Sequence, residues 1–250
     1  MLPLCKGHYI ARLAETAADV AAAQSLRHRC FRTARGLDGV ASGGRGQDRD
    51  DFDEQCLHVL IEDSDTGALL GCYRLLLLPT ARDLGRSYAG QFYDLTALAG
   101  FAGPVLELGR FCIDAACSDP DVLRIAWGAM TRVVDTEGVT LLFGCSSFEG
   151  TDPVAHAEAL GVLASRHLAP AVWRPGRKAA EAVPLPDHPF DARRAMAAMP
   201  PLLRTYLGMG GWVSDHAVID RDLNTLHVFT GVEIAAIPPA RARLLRVVAS

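Results

Sequence analysis

The spacing of apolar residues changes period several times along the chain, and each change marks an element. Residues 9–13 (YIARL) read as a short first strand. From Glu15 to about Phe31 apolar residues recur at helical spacing behind Thr16 and Asp19, which predicts a capped helix. Gly36 to Gly46 is rich in Gly, Ser and Arg and reads as a mobile loop. An acidic run, Asp48 to Glu54, leads into a strand at 58–62. Asp63-Ser64-Asp65-Thr66-Gly67 then turns the chain into a second apolar run at 69–78, a β-hairpin that Pro79 ends.

A short helix is expected near 89–99 and a strand at 105–113. Asp119-Pro120 opens a helix that runs to about Glu137 and stops at Gly138. A buried strand at 140–145 and a helix at 153–167 follow. Beyond Ala169 the pattern loosens around Pro184, Pro186, Pro189, Pro200 and Pro201, leaving a helix at 201–209 and strands at 217–219 and 227–230. The order β-α-β-β-β-α-β-α describes an α/β fold, a mixed sheet with helices on its faces.

Half of the 250 residues are apolar and 22% are charged, which is enough to bury a full core. A net charge of −4 argues against a dedicated nucleic-acid binder. The charge is uneven: between Leu160 and Arg204 stand seven basic residues, Arg166, Arg174, Arg177, Lys178, Arg193, Arg194 and Arg204, against Glu181, Asp187 and Asp191. That stretch is either a solvated surface or a docking face for an acidic carrier or lipid surface. Seven cysteines form no CxxC pair and several sit in apolar runs, which fits reduced core thiols in a cytoplasmic protein. No apolar run reaches the ~20 residues of a membrane span. The histidines lack metal-ligand spacing, and no HExxH, GxSxG, GxxxxGK[ST] or helix-opening GxGxxG is present, so no metal is expected.

Chemistry concentrates in ELGRFCI at 107–113. Alternation in a strand would place Glu107, Gly109, Phe111 and Ile113 on one face and Leu108, Arg110 and Cys112 on the other. A carboxylate and a guanidinium in an apolar strand need partners. They form either a core ion-pair network or a base with its organising cation beside a cleft. Arg74, amid leucines, must find a carboxylate, and Glu107 or Asp53 would serve. Arg27 and Phe31 lie one helical turn apart and share a face.

LRHRCF, DDFDEQCLHVLIEDSDTGALLGCYRLL, ELGRFCI, LLFGCSSFEGTDP and PPLLRTYLGMGGWVSDHAVIDRDLNTLHVF, in this order, resemble the bacterial ornithine N-acyltransferases that begin ornithine-lipid synthesis. These are distant relatives of the acyl-homoserine lactone synthases. The resemblance implies a single GNAT-like domain over 1–250, with a core at about 8–168 and a C-terminal extension at 169–250. It implies that Arg27 and Phe31 shape the cleft, and that Asp53, Arg74 and Arg110 share an ionic network. Cys56 stands where that network's second acidic residue would be. Glu107 is implied as general base, with Arg110 the second catalytic residue; Arg110 and Arg74 would hold Glu107 and Asp53 in place.

The implied reaction moves a 3-hydroxyacyl chain from acyl carrier protein to the α-amine of L-ornithine, giving lyso-ornithine lipid. Asp51 and Asp53 would attract the ornithine side chain. Phe111, Cys112, Ile113, Cys145, Ser146 and Ser147 would flank the phosphopantetheine arm where their two strands splay apart, with backbone N–H groups there as the oxyanion hole. No resident cofactor is implied, because the donor brings its own phosphopantetheine. CSDPDVLRIAWG lacks the glycine loop with which GNAT enzymes hold coenzyme A pyrophosphate, and its aspartates would repel one. The basic stretch 166–204 would meet the carrier. The amphiphilic product implies a cytoplasmic enzyme with peripheral contact at the inner membrane. Glutamine or another amino acid as acceptor, and lactone synthesis from S-adenosylmethionine, are the rival activities. A degenerate scaffold is the non-enzymatic rival, and retention of Glu107 and Arg110 argues against it.

Overall fold

The computed structural model describes residues 3–37, 46–187 and 189–249. In chain order the elements are β1 (Leu4–Lys6), β2 (Tyr9–Leu13), α1 (Ala17–Phe31), β3 (Leu57–Asp63), β4 (Leu69–Leu78), β5 (Tyr93–Asp94), β6 (Val105–Ile113) and α2 (Pro120–Thr136). They continue with β7 (Leu141–Glu149), α3 (Ala157–Arg166), β8 (Gly176–Arg177), β9 (Ala182–Pro184), α4 (Ala192–Ala198) and α5 (Pro201–Gly208). β10 (Trp212–Asp220), β11 (Thr225–Glu233) and α6 (Pro239–Ala249) complete the chain.

Local signals explain many of these boundaries. Thr16 caps α1 in a reciprocal box with Asp19, satisfying N–H groups that the first turn leaves open. Asp119 caps α2 with Pro120 in its first turn. The expected helix at 89–99 is instead two short 3-10 turns, Ala89–Gln91 and Thr96–Gly100, on either side of β5. Gly90 in this stretch weakens the case for a continuous helix. Pro153–His156 is likewise a 3-10 turn before α3. β7, β10 and β11 are longer than the apolar runs suggested, and β1, α4 and α6 carried no expectation. Most of the expected loop Gly36 to Gly46 lies outside the described residues.

The chain forms two compact units. The first comprises Met1–Leu77, Leu108–Val139 and Pro239–Ser250. Its strand order is β1-β2-β3-β4 and then the later part of β6, with the β1–β2, β2–β3 and β3–β4 pairs antiparallel. α1 covers one face through Ala23 and Leu26, packed on Leu60, Cys72 and Cys112. α2 covers the other, where the Tyr73 hydroxyl donates to Ala126 O at 3.0 Å.

The second unit comprises Leu78–Glu107 and Thr140–Pro238. Its sheet is mixed: Val105–Glu107 of β6 pair in parallel with 141–143 of β7, and β7-β11-β10-β9 continue antiparallel. Residues 169–238 therefore build most of this unit, and 239–250 belong to the first. α3, α4 and α5 bury Leu160, Leu163, Ala195, Met199 and Leu203 against Leu226, Val228 and Ala217. On the opposite face Phe143 and Trp212 stack on Phe229 at 5.7 and 5.9 Å.

Gly231 faces Trp212 across the β10–β11 pair, and a Cβ there would lie 2.5 Å from the indole. The ring is held by its stack on Phe229 and by Nε1 donating to Glu233 at 3.2 Å. Gly231→Ala is expected to lower stability by about 1–3 kcal/mol, read as a lower urea midpoint at unchanged m-value.

Candidate active site

The first unit holds a closed ionic network. Asp50 and Asp53 form a capping box around the 3-10 turn Asp51–Glu54, with Asp50 accepting from Phe52 N and Asp53 from Asp50 N. This local geometry turns both carboxylates toward Arg74 of β4. Arg74 Nη1 lies 2.5 Å from Asp50 Oδ1 and 2.9 Å from Asp53 Oδ1, and its Nη2 donates to Asp50 Oδ2 at 2.7 Å. The Phe52 ring sits 5.5 Å from the Arg74 guanidinium carbon.

Arg27 of α1 binds Asp53 in a bidentate fork at 2.8 and 2.9 Å, and its Nε donates to Asp48 Oδ2 at 3.0 Å. Gln24 adds a bond to Asp53 at 2.9 Å. Arg110 of β6 donates to Asp48 Oδ2 at 3.0 Å and reaches Asp50 Oδ2 at 3.4 Å, and Arg32 Nε stands 3.7 Å from Asp48 Oδ1. The side chains of Arg27, Asp48 and Arg74 are each 3% exposed or less.

The electrostatics follow from this pairing. Burial pushes the Asp48 and Asp53 carboxyls up, but Arg110 and Arg27 on Asp48, and Arg27 and Arg74 on Asp53, outweigh it and hold both below the usual range. Burial pulls Arg27 down, and the Asp53 hydrogen bond and Asp48 charge more than restore it. His58, 2.9 Å from Asp53 O, is held below its ordinary value by burial and brings no added charge at neutral pH.

Two expectations change here. Arg74 finds Asp50 as well as Asp53, and Asp48 and Asp50 supply the acidic partners that Cys56 could not. Asp53, expected to attract a substrate cation, is engaged within the network by Gln24, Arg27 and Arg74. Asp51 is exposed on the outer side of the same turn.

Regular alternation also fails along β6. Arg110 has φ 51°, a left-handed conformation that L-residues adopt at a cost. A Cβ on Gly109 would lie 3.4 Å from Arg74 Nε, while Arg110 reaches Asp48, so successive residues address the same ionic cluster. Phe111 then stacks on Tyr73 at 5.5 Å, toward α2.

Cys112 Sγ lies 3.6 Å from Cys72 Sγ, in the core under α1. Hydrogen bonding with Cys30 and Cys72, together with burial, pushes its thiol up, which suits a packed thiol and not a nucleophile. Ile113 O accepts from the Cys30 thiol at 3.5 Å, and Phe31 is half-buried with Arg35 over its ring at 5.7 Å.

Glu107 belongs to the second unit and is 4% exposed. Its Oε1 accepts from Ala89 N at 2.7 Å and its Oε2 from Tyr88 N at 2.9 Å. These two bonds fix the orientation of the carboxylate. Tyr206 of α5 is also buried, and burial, then the Glu107 charge, keeps its hydroxyl firmly protonated. Nothing in the motifs singled it out. Of the β7 residues, Cys145 is half-buried, Ser146 accepts from the Thr230 hydroxyl at 2.9 Å, and Ser147 is exposed. β6 and β7 keep a parallel register over three residue pairs, Val105 with Leu141 through Glu107 with Phe143. Among the described residues no group of His, Cys, Asp or Glu is arranged to hold a metal.

Residues 26–128 match the family described as an acetyltransferase (GNAT) domain. An L-ornithine N(alpha)-acyltransferase of Rhodobacter capsulatus is 34% identical over 227 residues, spanning 88% of each chain. The protein of the same name from Rhizobium meliloti is 30% identical over 242 residues, 90% of this chain and 80% of its own. Two solved structures share the fold. TofI in a ternary complex with an inhibitor and MTA has a TM-score of 0.51 at 20% identity, covering 97% of this chain and all of its own. The CoA-dependent acyl-homoserine lactone synthase BjaI, with SAM and isopentyl-CoA, has a TM-score of 0.51 at 14% identity, covering 92% and 82%.

Proposed function

Because the chain belongs to the L-ornithine N(alpha)-acyltransferase family, we propose that it N-acylates the α-amine of L-ornithine with Glu107 as general base. The observation that carries the base assignment is a buried carboxylate fixed at both oxygens by the Tyr88 and Ala89 amides. An α-amine is protonated at neutral pH and attacks only after losing a proton. Glu107 takes that proton directly or through a water, the freed amine attacks the thioester carbonyl, and collapse expels the donor thiol. Arg110, clamped by Asp48 and Asp50, is a positioning residue within the first unit's ionic network.

The donor is a 3-hydroxyacyl carrier protein. Support comes from the start of α2, where Asp119 accepts from Asp121 N at 2.8 Å and from the Tyr9 hydroxyl at 2.7 Å. An amide that would face a pyrophosphate is taken there, and the carboxylate repels anions. Among the seven basic residues of 160–204, Arg174 donates to Ala169 O and Arg194 pairs with Glu158 at 2.8 Å. Arg193 and Arg204 are exposed, and they are the docking candidates for an acidic carrier. Among the described residues no helix is long and apolar enough to cross a membrane. Leu244 and Val247 of α6 are 54% and 65% exposed beside Arg243, which supports a peripheral contact at an anionic surface.

The test is incubation with 3-hydroxyacyl carrier protein or the matching coenzyme A thioester and a panel of amino acids, with products identified by mass. N-acylornithine from the carrier-bound donor is expected, and charge reversal at Arg193 and Arg204 should raise the carrier KM severalfold. Acylglutamine, or a lactone formed with S-adenosylmethionine, would overturn the acceptor assignment.

A further inference from the structure

The second unit contains a cavity of about 450 Å³, within the range of small-ligand sites. Arg82, Arg177 and Lys178 stand at its wall with one carboxylate, Asp94. Its floor is apolar, with Leu84, Tyr93 and Leu95 all buried. β5 and β8 hold the charges in register, Tyr93 facing Arg177 and Asp94 facing Gly176. Gly176 leaves room for the carboxylate, since a Cβ there would approach Asp94 Cβ to 3.2 Å.

Asp94 is ionised at neutral pH: the Thr96 amide and hydroxyl, and then the Lys178 charge, hold it below the ordinary range. Lys178 Nζ donates to Gly90 O. Gly90 lines the cavity, and the residue before it, Ala89, gives its N–H to Glu107. One short segment thus carries both a cavity wall and the anchor of the base. A site for a simple anion has no use for Asp94, and a site for a simple cation has no use for two arginines. Both signs across an apolar floor suit a ligand with a carboxylate at one end, an ammonium at the other and methylenes between.

We propose that this cavity is the acceptor subsite, with Arg82 and Arg177 binding the α-carboxylate and Asp94 binding the side-chain ammonium. This assignment rests on the ornithine reading above. Leu84 and Leu95 contact the methylenes. Asp94 is then the residue that separates ornithine from neutral amino acids of the same length.

The experiment uses the full chain with a carrier-bound donor and three amines: ornithine, norvaline (no side-chain amine) and 1,4-diaminobutane (no carboxylate). Asp94→Asn should reduce the preference in kcat/KM for ornithine over norvaline by about tenfold or more, the scale of a lost charged hydrogen bond. Arg82→Gln with Arg177→Gln should reduce the preference for ornithine over 1,4-diaminobutane by a similar factor. All three positions are exposed, so folding is checked by an unchanged melting temperature. Preferences that stay at their wild-type ratios would overturn the subsite. A wild-type chain that leaves ornithine untouched fails earlier and takes the acceptor assignment down with it. Ornithine turnover with unmoved ratios removes the cavity alone.

Discussion

Glu107→Gln is expected to lower kcat by about 10²- to 10⁴-fold, the usual range for loss of a general base. Glutamine keeps the length of the side chain and one carbonyl oxygen, so one of the two anchoring amides, Tyr88 N or Ala89 N, retains its acceptor. The other meets an amide NH₂ and loses its partner, at about 1–3 kcal/mol for a buried donor. That local cost makes a stability control necessary. Urea unfolding of the variant should show a modest loss, far smaller than the loss of rate implies. The donor KM should change little, because the missing function is proton removal from the amine. Glu107→Asp retains a carboxylate one methylene shorter and should recover part of the rate, which a purely structural role would not produce. A folded Glu107→Gln protein with wild-type turnover would remove Glu107 from the mechanism.

Asp53→Ala is expected to cost about 3–5 kcal/mol of stability, the penalty for stranding a buried charge by removing its partner. Asp53 holds the Arg27 fork and one Arg74 bond, and both arginines are buried. The same residue sets a pH dependence. In the folded protein Asp48 and Asp53 ionise below the ordinary carboxylate range, whereas the unfolded chain takes up these protons near pH ~3.9. The unfolded state therefore binds more protons as acid is added. The contribution is complete above that pH and is lost as pH falls through the folded values. Chemical unfolding of the wild type should weaken steadily below about pH 4, and Asp53→Ala should show a shallower acid slope. Parallel acid slopes for the two proteins would mean that Asp53 is not held as the geometry indicates.

Much of this arrangement could be read from residue order, and the exceptions share a physical origin. Thr16 with Asp19, Asp119 with Pro120, and the Asp63–Gly67 turn are local devices, so α1, α2 and the β3–β4 hairpin were expected near their observed bounds. Arg27, Asp53, Arg74 and Arg110 were candidates, but which carboxylates of the acidic run face inward depends on strands 21 to 62 residues away. Asp48 and Asp50 could not be chosen on spacing alone. The left-handed Arg110 was equally hidden, because nothing local favours that conformation in arginine. β7 and β10 extended past their apolar runs where buried hydroxyls found partners, Ser146 with Thr230 and Ser214 with the Phe229 amide. Asp94, Arg82 and Arg177 escaped notice because short turns and two-residue strands carry no periodicity.

The ionic network has a consequence for how the first unit is made. Its members come from four separate stretches, α1, the 48–54 segment, β4 and β6, and a guanidinium or carboxylate is left exposed in energy until all four have arrived. Contacts so distant along the chain close late, after loop entropy has been overcome. The network thus couples four stretches, so that loss of one arm weakens the hold on the other three.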